Sequence, residues 1–310
     1  MNNNVLVEIK NLTKIFNKNK NKNNEIKAID DVSIKINKGE ALGIVGESGC
    51  GKSTFGKSII RLLEVPEETI FFEGKDINKI TSRRDSLNLN KRIQMIFQDP
   101  YVSLNPRLKV MDIVGEGIDI HKLAENKAER NEKIYKLLEL VGLNKEHANR
   151  YPHEFSGGQR QRIGIARALS VEPDLIIADE PISALDVSIQ AQIINIIKKL
   201  QKERNTTLLF IAHDLSMVKY VSDRIAVMHK GKIVEIASSE RLYQNPLHNY
   251  TKSLISAIPQ PDPQYERERV REIYKDSFDN NSEYKLREIE KDHFVFTSIN
   301  KAELLRQRKL

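Results

Sequence analysis

An α/β fold built on a parallel sheet is predicted by three observations. Continuous apolar runs bounded by polar turns occur at 93–97, 175–178 and 208–212, as expected for strands covered on both faces. Ile189, Ile193, Ile197 and Leu200 recur at helical spacing behind Asp186, a good N-cap, so 187–203 is expected to be a helix packing its apolar stripe on that sheet. Third, the run Gly46-Glu47-Ser48-Gly49-Cys50-Gly51-Lys52-Ser53-Thr54 joins the apolar stretch 41–45, a short buried strand, to a helical stretch, 52–63.

Along the chain, 5–12, 28–36 and 41–45 read as strands, with an asparagine- and lysine-rich loop at 17–24 between the first two. The loop 46–54 fits the pattern GxxxxGK[ST]. At that helix N-terminus the free N–H groups and the positive end of the helix dipole favour anionic phosphate, and glycines let the backbone curl around it. A nucleoside triphosphate is expected there, with Lys52 reaching the β- and γ-phosphates and the Ser53 hydroxyl ligating Mg²⁺. A glycine turn with an unrelated lysine is the simpler alternative. Between Asp99 and Ser156 the pattern is helical, notably at 128–141, and reads as a helical subdomain inserted in the α/β core. Beyond about residue 238, Pro246, Pro259, Pro261 and Pro263 punctuate short helices, and a charged tail runs to Leu310 as an appendage.

The chain has 310 residues, enough for a sizeable core, and 30% of them are charged. It holds no apolar run near 18 residues, and the asparagine-rich N-terminus lacks the apolar segment of a secretion signal, so any membrane role is expected to come through another chain. The single cysteine, Cys50, excludes an internal disulfide and any site needing several thiolates, which suits a reducing cytosol. The net charge of +7 arises from 50 basic against 43 acidic residues and reads as a solvated surface, with no nucleic acid expected.

Two carboxylates, Asp179 and Glu180, close the apolar run 175–178, at the sheet edge where ligands bind in parallel folds. Asp179 suits Mg²⁺, and Glu180 suits a general base polarising the attacking water. Phe155-Ser156-Gly157-Gly158-Gln159 precedes another apolar helical stretch, 163–169, offering a second set of N–H groups; a plain helix cap is the alternative. One chain does not need two phosphate cradles for one ATP.

With Ser156-Gly157-Gly158-Gln159 the sequence resembles the ATP-binding cassette family, whose SGGQ signature closes over the ATP held by the phosphate loop of an opposing subunit. That resemblance covers roughly residues 5–240. It implies a P-loop NTPase (RecA-like) ATPase domain at 1–240 with an antiparallel β subdomain, a helical subdomain at about 99–158, and a C-terminal extension at 241–310. By the same resemblance Gln98 senses Mg²⁺ and the membrane partner. Ser183-Ala184-Leu185-Asp186 crosses the dimer interface, placing Asp186 near nucleotide, and His213 contacts the γ-phosphate and positions the water. Phe16 matches the aromatic that stacks on adenine, though tyrosine is usual there; a core role for Phe16 is the alternative.

Three longer segments, 98–107, 184–192 and Asn245-Pro246-Leu247-His248-Asn249-Tyr250-Thr251, narrow the likeness to the oligopeptide/dipeptide permease ATPases. Residues 258–263 and the charged tail resemble the OppF-type subfamily of Gram-positive bacteria. This implies an ATPase at the cytoplasmic face of the membrane, paired as a heterodimer with an OppD-like ATPase. Two transmembrane permease subunits lie above it, and an extracellular peptide-binding protein serves it indirectly. Many relatives ligate an iron–sulfur cluster with C-terminal cysteines; none follows Cys50 here, so no cluster is expected. Dipeptide, nickel or other small-solute import, a soluble repair or translation ATPase, and a nucleotide-binding scaffold with a dead site are the rival readings. Two further expectations concern single residues. Cys50 has a lowered thiol pKa if solvent reaches it, or is a spacer of tolerated size. Residues 98–107, with apolar Tyr101, Val102 and Leu104, receive a helix of a membrane subunit, or pack within the helical subdomain.

Overall fold

The computed structural model describes residues 4–17, 25–183, 185–258, 274 and 282–307. In chain order the strands and helices are β1 (Val5–Asn17), β2 (Glu25–Asn37), β3 (Ala41–Val45), α1 (Lys52–Ile59), β4 (Ile70–Phe72), β5 (Lys75–Asp76), α2 (Arg83–Arg92), β6 (Ile93–Ile96), α3 (Pro100–Ser103), α4 (Val110–Ile120), α5 (Lys127–Leu140), α6 (Gly157–Leu169), β7 (Leu175–Asp179) and α7 (Val187–Arg204). There follow β8 (Thr207–Ala212), α8 (Leu215–Val221), β9 (Arg224–His229), β10 (Lys232–Ser238), α9 (Ser239–Gln244), α10 (Asn249–Ser256), β11 (Lys285–Glu290), β12 (His293–Thr297) and α11 (Ile299–Gln307). The chain divides into two compact units that interleave in sequence, one holding Met1–Glu8, Lys35–Glu40 and Gly56–Phe210, the other Ile9–Ile34, Ala41–Phe55 and Ile211–Leu310.

In the first unit β6 and β7 run parallel, with Ile93 opposite Leu175 and Ile96 opposite Ala178. β7 is buried at every residue, and so is the 207–210 part of β8, which continues the strand order. Burial on both faces is what their unbroken apolar composition demands. α7 covers the expected span and buries Ile193, Ile197 and Leu200. Residues 99–156 form helices and short 3-10 turns with no strand among them. α5 starts where the Asn126 side chain accepts the Glu129 N–H at 3.0 Å, a side-chain cap.

In the second unit β3 pairs parallel with β9, Leu42 opposite Arg224, and β10 returns antiparallel along β9. β12 then pairs antiparallel with β10, and β11 with β12. The C-terminal stretch is thus more than a charged tail. On β11 charged residues flank the buried Ile289, and on β12 the buried His293, Val295 and Thr297 alternate with the half-buried Phe294 and Phe296. Leu247, Ile289, Val295 and Ala302 form a small core there. The alternation is diluted by lysine and glutamate, which hides it in composition. Two other expectations shift. The helix after the glycine-rich loop ends at Ile59 instead of residue 63, and Pro259, Pro261, Pro263 and the loop 18–24 lie outside the described residues.

Candidate functional site

In the second unit the wholly buried β3 delivers the chain into the loop 46–54, and α1 begins at Lys52. Lys52 is only 4% exposed, and its ammonium donates to the carbonyls of Gly46 (2.8 Å) and Glu47 (2.9 Å). A cation is therefore held inside the curl of the loop, on neutral acceptors that phosphate oxygens outcompete. The curl depends on glycine. Gly51 sits at φ +112°, and a Cβ there would lie 2.0 Å from the Ala28 carbonyl oxygen, so no other residue fits without moving backbone. Glu47, Ser48 and Gly49 are exposed at the rim, while Ser53 and Thr54 are half-buried at the start of α1.

Cys50 departs from one expectation. It is buried, and burial pushes its thiol above the ordinary cysteine value, outweighing the nearby Lys52 charge that pulls it down. Phe16, near the end of β1, is exposed, with the Lys14 ammonium 5.5 Å from its ring centroid, which removes the core reading. His213 follows β8 and is exposed. A residue without an expected role also reaches this loop: the Tyr250 hydroxyl accepts the Glu47 N–H at 3.2 Å.

In the first unit Asp179, 2% exposed, ends β7, and Glu180 follows at φ +43°. A non-glycine residue in the left-handed region carries strain of roughly 1–3 kcal/mol, a mark of functional turns. The turn is closed by the Glu180 carbonyl, which accepts both the N–H and the hydroxyl of Ser183 at 3.2 Å. Gln98, just past β6, donates its Nε2–H to Glu180 Oε2 at 2.8 Å, so two residues singled out separately in the sequence meet.

Ser156 caps α6 with a full capping box. The Gln159 N–H donates to Ser156 Oγ (3.4 Å), and the Ser156 N–H donates to Gln159 Oε1 (3.0 Å). Ser156 is exposed and Gly157 half-buried; Gly158 is buried, and a Cβ on it would meet Ile189 Cγ2 at 2.5 Å. Asp186 stands at the N-cap of α7, exposed, without a capping hydrogen bond; Ala184 lies outside the described residues.

The segment 97–103, around Gln98, is tied to α6 at three points. Gln161 Nε2 donates to the Phe97 carbonyl (3.5 Å), the Arg160 guanidinium lies 3.9 Å over the Tyr101 ring, and Arg167 donates to the Ser103 carbonyl (2.6 Å). Of the apolar residues Tyr101, Val102 and Leu104, the first two are exposed, Val102 at 84%. Leu104 is 2% exposed and belongs to the core, so it is no part of a docking patch. Beside this segment is a groove of about 400 Å³ lined by Phe97, Ser103, Leu62, Leu87, Ile120 and Arg167 among others.

Residues 29–183 match the family model described as ABC transporter, and residues 234–282 match the C-terminal region of oligopeptide/dipeptide transporters. The chain is 61% identical over 293 residues to the oligopeptide transport ATP-binding protein OppF of Bacillus subtilis (strain 168), covering 94% of this chain and 95% of the relative. It is 53% identical to the dipeptide transport ATP-binding protein DppF of Lactococcus lactis subsp. cremoris, covering 97% of each. Among solved structures it is similar to the ATP-binding cassette MJ0796, a dimer in a post-hydrolysis state bound to ADP and Pi. The TM-score is 0.68 at 29% identity, over 76% of this chain and 99% of that one.

Proposed function

The chain belongs to the ABC transporter family, and from that premise we propose that it is the OppF-type ATP-hydrolysing subunit energising oligopeptide import across the cytoplasmic membrane. The observation that carries the reading is the loop 46–54, with the Lys52 ammonium drawn inside it. Backbone N–H groups of 48–52 and the start of α1 hold the ATP phosphates, Lys52 exchanges its two carbonyls for phosphate oxygens, and Phe16 stacks on adenine.

Ser53, Asp179 and the amide oxygen of Gln98 are each hard oxygen donors of the kind that suits Mg²⁺, and the ion would supply neutralisation of phosphate charge when bound. Glu180 accepts the proton of the attacking water. Gln98, whose Nε2–H donates to Glu180 Oε2, fixes the Glu180 carboxylate. His213 steadies the γ-phosphate, and Ser156, Gly157, Gly158, Gln159 and Asp186 serve the nucleotide of an opposing ATPase subunit, an OppD-like chain. Residues 1–240 are the ATPase domain, 99–158 its helical part and 241–310 the extension.

Among the described residues no helix is long and apolar enough to cross a membrane. The chain sits at the cytoplasmic face and reaches the membrane through two permease subunits. The exposed Tyr101 and Val102, next to the groove lined by Phe97 and Ser103, are the contact for one of them. Dipeptides are the second substrate reading, favoured by the likeness to the Lactococcus protein.

Glu180→Gln keeps the shape and removes the base. The expected outcome is normal ATP binding with hydrolysis by the assembled transporter at least ~10²-fold slower. Undiminished phosphate release would remove Glu180 from that role, and normal uptake of a labelled oligopeptide by cells lacking the whole chain would overturn the importer reading.

A further inference from the structure

The segment 245–251 contains a residue that no step above uses. α10 begins after His248, whose Nδ1 accepts the Tyr250 N–H at 3.1 Å, and this cap aims Tyr250 inward. Tyr250 is 1% exposed. Its ring centroid lies 4.1 Å from that of His229 at the end of β9, and its hydroxyl accepts the Glu47 N–H at 3.2 Å. Glu47 is the second residue of the phosphate loop. Its carbonyl accepts the Lys52 ammonium at 2.9 Å and the Cys50 N–H at 3.3 Å, so both backbone groups of this residue are gripped. Tyr250 holds the N–H and the loop's own cation holds the carbonyl.

The grip continues into the C-terminal hairpin. Glu235 on β10, fully buried, accepts the N–H groups of Leu247 (2.7 Å) and His248 (3.0 Å) and meets His293 Nε2 of β12 at 2.7 Å. A buried carboxylate needs that many partners to be tolerated. Within the second unit a chain of hydrogen bonds thus runs from β12 through Glu235 to residues 247–248, through Tyr250 to Glu47, and from Glu47 to Lys52.

We propose that Tyr250 is a positioning residue for nucleotide binding. Its hydroxyl fixes the Glu47 peptide, and through it the Lys52 ammonium, so the C-terminal extension sets the affinity of the phosphate loop. The proposal rests on the reading of 46–54 as that loop. The hydroxyl bonds to the Glu47 N–H, a group of the binding loop that carries no proton of the reaction, so its loss weakens triphosphate and diphosphate binding alike and leaves the chemical step intact.

The test is Tyr250→Phe in the full-length chain, which keeps the ring and deletes one oxygen, with Mg-ATP, Mg-GTP and Mg-ADP as probes. Affinity for all three is expected to fall by the same ~5- to 20-fold factor, the scale of deleting one half-buried hydrogen bond. In the assembled transporter KM rises while kcat stays within about twofold. Tyr243→Phe is the control, since it deletes another buried hydroxyl of the same unit, one that donates to the Leu215 carbonyl; nucleotide affinity is expected to stay at the wild-type value. Wild-type affinity in Tyr250→Phe, or an equal loss in Tyr243→Phe, would overturn the proposal. If Tyr250→Phe fails to fold, amide exchange in the wild-type chain is the measurement: the Glu47 N–H is expected to be protected, and exchange at the solvent-limited rate would overturn it. A wild-type chain that does not bind Mg-ATP would sink the phosphate-loop reading itself.

Discussion

At residues 46–52 and again at 156–159 a glycine-containing turn runs into a helix, and the free N–H groups of that helix end are treated differently in the two places. The first turn encloses its own cation, with Lys52 held on the carbonyls of Gly46 and Glu47, and its backbone approaches a neighbouring strand closely enough to exclude a Cβ at Gly51. The second turn satisfies itself, because the Ser156 and Gln159 side chains each take the other's backbone N–H. The first helix start draws a buried cation into its turn, whereas the second, part of an open surface, caps itself and leaves a polar side chain, Ser156, exposed.

The largest effect that would break this contrast is on the first turn. Lys52→Ala is expected to weaken Mg-ATP binding to the full-length chain by about 10- to 100-fold, the equivalent of the ~1.5–3 kcal/mol of a hydrogen bond to a charged group. Unchanged affinity by titration calorimetry would mean that the enclosed ammonium is a structural plug.

Gly157→Asp sharpens the other side. A Cβ there meets Leu185 Cδ2 at 3.5 Å, an ordinary contact, whereas at Gly158 it would strike Ile189, so position 157 accepts a carboxylate without a steric cost. Turnover by the assembled transporter is expected to fall about 10-fold through repulsion of phosphate, with ATP binding by the separate chain unchanged. If the separate chain lost affinity instead, this turn would be serving its own nucleotide.

The smallest effect compares accessibility directly. Cys50 inside the first turn is buried with its thiol raised by that burial, so more of it stays protonated at a given pH. A maleimide at pH 7 is expected to label it at least ~10-fold more slowly than a cysteine placed at Ser156 in a Cys50→Ser background. Equal rates would show the loop opening freely in solution.

Much of this was legible in the chain alone. Strands β6, β7 and β8 were readable because burial on both faces leaves unbroken apolar runs, and α7 because Ile193, Ile197 and Leu200 keep a helical period behind Asp186. The strands β11 and β12 were not, since β11 is two-thirds charged and β12 offers only five residues after the charged run 287–292. At the candidate site, the residue types were legible and the bonds between them were not. Nothing local to Gln98 says that it holds Glu180, 82 residues on, and nothing local to Glu180 requires a left-handed backbone.

By itself, then, the sequence determined the chemistry on offer: a lysine behind glycines at a helix start, carboxylates at a strand end, hydroxyl and amide side chains at a second helix start. These follow from spacing along a few residues, where the helix and strand periods rule. The tertiary structure alone decided which atoms meet. The Tyr250 hydroxyl finds the Glu47 N–H across 203 residues of chain, and Leu104 turns inward while Val102 two residues earlier stays in solvent. Such contacts depend on strand register and on how whole helices pack, which are set by the summed burial of the unit and leave no mark in any short stretch of sequence.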